Sequence, residues 1–127
     1  MRVLIFGTFD LLHPGHRFVL TQARTRGDVF VVIARDSNVL RLKGHLPDQS
    51  EGERMRTIEQ EFPSVHCVLG DPEDFLAPVR SIKPDLILLG YDQKFPPGVT
   101  EDLLHCQIER LPAFQPDKFK SSVRRKR

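Results

Sequence analysis

Val3-Leu4-Ile5-Phe6-Gly7-Thr8-Phe9-Asp10-Leu11-Leu12-His13-Pro14-Gly15-His16 sets the reading of the whole chain. Its first four residues are continuously apolar, as in a strand covered on both faces rather than one half exposed to water. Gly7 predicts a sharp turn after that strand. Pro14 and Gly15 stand where a helix begins, a place that tolerates proline because the first amides of a helix lack intrahelical partners. His16, Val19, Leu20 and Ala23 then follow the i, i+3, i+4, i+7 spacing of a helix with one buried face, and Gly27 predicts its end. Strand, turned loop and amphipathic helix thus follow one another directly.

The same alternation continues outward. Apolar runs at Val29–Ala34, Val65–Leu69 and Leu86–Leu89 read as further buried strands, with a weaker one over Gln107–Leu111. A helix is predicted from Ser50 to Glu61, with Ser50 and Glu53 in a capping-box pattern and Met55, Ile58 and Phe62 as its apolar stripe. Another lies within Asp74–Ile82, kinked at Pro78 or starting there. A last one begins near Thr100, with Glu101 and Asp102 at its positive end. The stretch Arg35–Gln49 reads as one long loop, and long loops are often functional. The fold class is therefore α/β: a single Rossmann-like, doubly wound domain over residues 1–127, with a five-stranded parallel sheet and helices on both faces. In such sheets ligands bind beyond the carboxyl ends of the strands. Chemistry is expected in the segments 7–15, 35–49 and 90–98.

Composition narrows the classes of function. The chain of 127 residues carries a formal charge of +2, but that charge is uneven. Residues 116–127 hold six basic and one acidic side chain, and residues 1–115 hold 13 basic and 16 acidic ones, so a basic tail of +5 follows a body of −3. A protein that coats polyanions with its whole surface is excluded, and nucleic acid is not expected as a partner. Four terminal basic residues, Arg124 to Arg127, give only a salt-sensitive contact of little specificity. No apolar run approaches the roughly 20 residues that cross a bilayer. Cys67 and Cys106 form no C-x-x-C pair, which fits a reducing compartment, and a cytoplasmic protein is expected.

The loop after the first strand carries the sharpest chemical signal. His13 and His16 are one helical turn apart at a helix entrance, where free N–H groups and the helix dipole favour an anion. Two imidazoles there can donate to phosphate oxygens as charge builds in a phosphoryl transition state. The same pair could be half of a metal site, although no cluster of Cys or carboxylate residues completes a ligand set, or it could simply cap the helix. Asp10 reads as a residue that holds the loop through backbone hydrogen bonds, with direct ligation the lesser reading.

Gly7-Thr8-Phe9-Asp10 with His13-Pro14-Gly15-His16 resembles the GTFD…HxGH signature of the cytidylyltransferase-like nucleotidylyltransferase superfamily. The resemblance extends over nearly the whole chain. It implies transfer of a nucleotidyl group from an NTP to a phosphate-bearing acceptor, with pyrophosphate leaving and no covalent enzyme intermediate. His13 and His16 would hold the α/β-phosphate region, with Lys43 as a point charge on the phosphates. Gly7, Thr8, Phe9, Asp10 and Gly15 would shape the nucleotide site. Arg54 matches a helix-borne arginine of relatives, and Gly90, Asp92 and Gln93 lie where the family binds base and ribose. Lys120-Ser121-Ser122-Val123 is similar to a terminal motif that closes on the triphosphate, with Ser121 and Ser122 as its donors. Mg²⁺ would enter bound to the nucleotide rather than in a protein cage. Homodimers are common among such proteins. Read from the residues alone, Lys43 could be a solvated charge, Arg54 could pair with Glu51 or another carboxylate, Asp92 and Gln93 could be turn residues, and the serines could belong to a plain tail.

Within the superfamily, Val32–Asp36 and Leu89-Gly90-Tyr91-Asp92-Gln93 look most like archaeal-type FAD synthases, which transfer AMP from ATP to FMN. The short length and the GTFD start are also similar to glycerol-3-phosphate cytidylyltransferases, which use CTP. ATP is favoured over CTP on the Gly-Tyr-Asp-Gln match. A relative that binds nucleotides without turnover remains a rival of another class, and the intact His13 and His16 argue against it.

Overall fold

A computed structural model describes residues 1–114; the expectations for Lys120, Ser121, Ser122 and the basic end fall outside the described residues. The described residues form five strands and five helices, with two successive helices between the second and third strands: β1 (Arg2–Gly7), α1 (Pro14–Arg26), β2 (Asp28–Ile33), α2 (Asp36–Lys43), α3 (Glu51–Glu61), β3 (His66–Leu69), α4 (Ala77–Ile82), β4 (Leu86–Leu89), α5 (Glu101–Leu104) and β5 (Gln107–Arg110). All strand pairs are parallel, in the order β3-β2-β1-β4-β5. The sheet has helices on both faces, as the alternation predicts.

β1 is the central strand because its side chains can be buried on both sides. Val3 and Ile5 enter one core, with Leu20 and Ala23 of α1 and Ile58 and Phe62 beside α3. Leu4 and Phe6 enter the other, with Val79 and Ile82 of α4 and Leu104 of α5. Val3, Leu4 and Ile5 expose no surface, and each such side chain contributes about 2 kcal/mol of burial. From β1 the chain winds outward through β2 to β3, then returns to the other side of β1 with β4 and β5. The winding reverses between β1 and β4, and their carboxyl ends open a crevice there.

The Ser50–Glu53 capping box forms in both directions, at 3.2 Å and 3.0 Å. α4 starts at Ala77 with Pro78 in its first turn, so there is no kink within it. The boundary glycines act differently from the sequence reading. Gly27 is in extended backbone; a Cβ there would lie 2.4 Å from the carbonyl oxygen of Met1, so close approach rather than a left-handed turn demands glycine.

The segment 35–49 is not one loop. Its first half folds into α2, which begins with Asp36 at the positive helix end and stops at Gly44, left-handed at φ 82°, whose N–H bonds to Leu40 O. The apolar pattern hides this helix, because Val39 is buried while Leu40 and Leu42 face solvent.

Candidate functional site

A cleft of about 860 Å³ opens at the carboxyl ends of β1 and β4, a size that suits a small-molecule ligand. Gly7, Thr8, Phe9, Asp10, His13, Gly15, His16, Lys43, Gly90, Asp92 and Gln93 all reach it. Segments far apart in sequence are thereby joined in one site.

The loop from β1 to α1 is built on strained backbone. Phe9 and Leu11 adopt φ of 53° and 54°, a left-handed conformation that costs non-glycine residues on the order of 1 kcal/mol. Packing offsets this at Phe9, which is buried and meets the His16 ring edge-on at 5.3 Å. The Phe9 ring also fills the space beside Gly7, where a Cβ would lie 2.4 Å from Cε2. Gly7 is thus needed to admit the ring. The turn itself is made by Phe9 and Leu11.

His13 is the N-cap of α1. Its Nδ1 accepts the Gly15 and His16 amides at 3.1 Å and 3.4 Å, while His16 Nδ1 accepts the His13 amide at 3.4 Å. The rings stack with centroids 3.6 Å apart. A neutral imidazole that accepts at Nδ1 carries its proton on Nε2. The helix amides are therefore engaged by the imidazoles rather than free, and the Nε2–H of each ring is left over as a donor. Capping and phosphate binding, rival readings of the sequence, are compatible uses of opposite edges of the ring. Burial, then the neighbouring His13 and Arg17, lower the His16 pKa to about 4, keeping that donor neutral.

Asp10 ties this loop to the segment ahead of α3. Its two carboxylate oxygens accept the Asp48 and Gln49 amides at 2.8 Å and 2.9 Å, and Gln49 Oε1 accepts the Leu11 amide at 3.0 Å. Burial pushes the Asp10 carboxyl up, but the two amides and the charges of Arg54 and Lys43 outweigh it and hold its pKa below the ordinary value.

Arg54 departs from the expectation of a nucleotide contact. Its side chain has no exposed surface and is not part of the cleft lining. It donates to Thr8 O at 2.8 Å, Gln49 O at 3.2 Å and Asp36 Oδ1 at 2.7 Å. A buried guanidinium must find its partners within the protein, and these three acceptors engage each of its three nitrogens. It fixes the loop from behind. Asp36, which the sequence reading did not single out, also exchanges hydrogen bonds with Glu51, each carboxylate accepting the other residue's amide.

Gln93 reaches the cleft, yet its amide is engaged by backbone. Oε1 accepts the Gly90 amide at 3.0 Å and Nε2 donates to Phe6 O at 2.8 Å, strapping the exit of β4 to the end of β1. Asp92 is exposed at the cleft. Lys43, at the end of α2, and Lys94, after Gln93, both line it, and neither pairs with a carboxylate among the described residues. Lys94, Arg110 and His45 are further residues of this region that sequence reasoning missed. For Lys94 the available signal was a cation directly after the Gly-Tyr-Asp-Gln segment.

Comparison with known proteins gives a consistent picture. The sequence model described as Cytidylyltransferase-like matches residues 4–123. The FAD synthase of Methanosarcina mazei is 45% identical over 79% of this chain and 66% of the relative. That of Aciduliprofundum boonei is 48% identical over 75% and 64%, and that of Methanospirillum hungatei 39% identical over 96% and 81%. The chain thus spans about two thirds of the length of the first two relatives. The crystal structure of the lipopolysaccharide core biosynthesis protein from Thermoplasma volcanium superposes with a TM-score of 0.79 at 35% identity, covering 91% of this chain and 98% of that one.

Proposed function

Because the chain belongs to the cytidylyltransferase-like family, we propose that it transfers the adenylyl group of ATP to FMN, forming FAD and releasing pyrophosphate. An oxygen of the FMN phosphate attacks the α-phosphorus of ATP. The bond from that phosphorus to the bridging oxygen of the β-phosphate breaks, and both electrons leave with pyrophosphate. The observation that carries this reading is the stacked His13–His16 pair at the α1 entrance. Its Nε2–H donors suit the charge that builds on non-bridging oxygens, and they are positioned before substrate arrives. The curated relatives named FAD synthase favour ATP and FMN as the substrates.

Mg²⁺ enters as part of the nucleotide substrate. Both Asp10 oxygens already accept backbone amides, and no group of three or more His, Cys, Asp or Glu among the described residues could hold a metal ion. No helix among those residues is long and apolar enough to cross a membrane. A cytoplasmic location accords with the two free cysteines. A homodimer is the assembly suggested by family resemblance.

The deciding experiment is a pyrophosphate-release screen of ATP and CTP, with Mg²⁺, against FMN, glycerol 3-phosphate, sugar 1-phosphates and phosphopantetheine. Turnover with ATP and FMN alone supports the proposal. Turnover with CTP and glycerol 3-phosphate overturns it.

A further inference from the structure

We propose that Lys94 is a substrate-binding residue that holds a phosphate in the cleft, and that Arg110 is the positioning residue that sets it there; this rests on the proposed nucleotidyl transfer. The reaction brings a triphosphate and a phosphomonoester together. Two such anions repel, so the site calls for fixed cations beside the histidine pair. Lys43 and Lys94 are the lysines lining the described cleft. Lys43 sits at the carboxyl end of α2, where the dipole is negative, and it acts on the Asp10 carboxylate. Lys94 lies on no helix and pairs with no carboxylate among the described residues.

The backbone around Lys94 is fixed on both sides. Before it, the Gln93 amide straps the segment to Phe6 O. After it, Phe95 packs into the core shared with Val99 and Leu104. From β5, a single nitrogen of Arg110, Nη1, donates to three carbonyls: Gly90 O at 2.9 Å, Tyr91 O at 3.2 Å and Gln93 O at 2.7 Å. A guanidinium that gathers three carbonyls from one turn holds it in one conformation. An ammonium on such a support loses little further backbone entropy when it meets an anion, which is how preorganisation raises affinity.

The test uses the full chain, with ATP, FMN and pyrophosphate titrated calorimetrically and FAD formation followed in parallel. Lys94→Met should weaken one substrate, in Kd and KM, by about tenfold or more, as expected for loss of a charge-assisted hydrogen bond, with a much smaller change in kcat. Lys94→Arg should retain most of the affinity. Weakened ATP and pyrophosphate assign the phosphate to the nucleotide; weakened FMN alone assigns it to the acceptor. Unchanged affinity for all three probes overturns the inference. Arg110→Met should raise the same KM, Arg110→Lys should recover it through three ammonium donors, and Arg110→Met should add nothing to Lys94→Met. A fall in melting temperature without any KM change would make Arg110 merely structural and overturn its part. If the wild-type chain forms no FAD, the proposed function fails separately. Tenfold weaker binding of any one of the three probes by Lys94→Met would then still support the phosphate seat, and unchanged binding of all three would overturn it.

Discussion

His13 and His16 cap each other: each backbone amide donates to the other residue's Nδ1 at 3.4 Å, and the rings stack 3.6 Å apart. Two charged imidazoles at that spacing would repel, and protonation at Nδ1 would remove an acceptor from the cap. Burial, His13 and Arg17 accordingly depress the His16 pKa from 6.5 to about 4.

This depression predicts how stability depends on pH. The unfolded chain takes up a proton at His16 near pH 6.5, while the folded chain resists until about pH 4. The contribution is complete above pH 6.5 and is lost as pH falls toward 4. Carboxylates held below their ordinary values, such as Asp10 and Glu53, are almost fully ionised in both states above about pH 5.5. Urea unfolding between about pH 6.5 and 5.5 therefore isolates the histidine part. The slope there should flatten in His16→Asn; an unchanged slope would assign it to other groups.

Arg54→Met should destabilise the fold by about 3–5 kcal/mol, because Thr8 O, Gln49 O and Asp36 lose a fully buried partner. Arg54→Lys should recover only part of this, since one ammonium cannot span acceptors arranged for a planar fork. The shift in urea midpoint measures both. A midpoint close to wild type in Arg54→Met would show that water satisfies the freed acceptors.

These contacts mark the boundary of what the sequence discloses. The short-range patterns were legible: apolar runs for strands, the Ser50–Glu53 box for α3, and a paired-histidine loop at a helix entrance. So was the place of the cleft, because open parallel sheets form their crevice beyond the carboxyl ends of the strands. Arg54 reads in the sequence as a nucleotide contact, or as half of an ion pair with Glu51 or another carboxylate; the carboxylate it meets is that of Asp36. The burial of Arg54 depends on Thr8 and Asp36, which lie 46 and 18 positions away. The strap from Gln93 to Phe6 spans 87 positions, and the clamp from Arg110 to Gln93 spans 17. Neither leaves a local periodicity. α2 was hidden for another reason: its exposed Leu40 and Leu42 blur the apolar stripe.

Gln93 joins β4 to β1 with one donor and one acceptor. Gln93→Leu, which keeps the volume, should cost about 2 kcal/mol by removing two hydrogen bonds. Gln93→Glu at neutral pH should cost more, because a carboxylate oxygen replaces the donor that faces Phe6 O. Thermal unfolding of the pair tests the order. The reverse order would mean that packing at position 93 outweighs its hydrogen bonds.

His13 separates capping from chemistry. Its ring caps α1 through Nδ1, and in the proposed reaction it donates to phosphate through Nε2. His13→Ala loses both roles: about 1 kcal/mol of stability and a 10²–10³-fold loss of turnover are expected. Asparagine is among the best N-caps, so His13→Asn should regain most of the stability, but its short amide replaces the cap and cannot also occupy the Nε2 position. Thermal unfolding and pyrophosphate release, measured on the same two variants, should therefore part company: stability returns with Asn and turnover does not. If turnover returned as well, capping would be the whole contribution of His13, and phosphate stabilisation would fall to His16 and the lysines of the cleft.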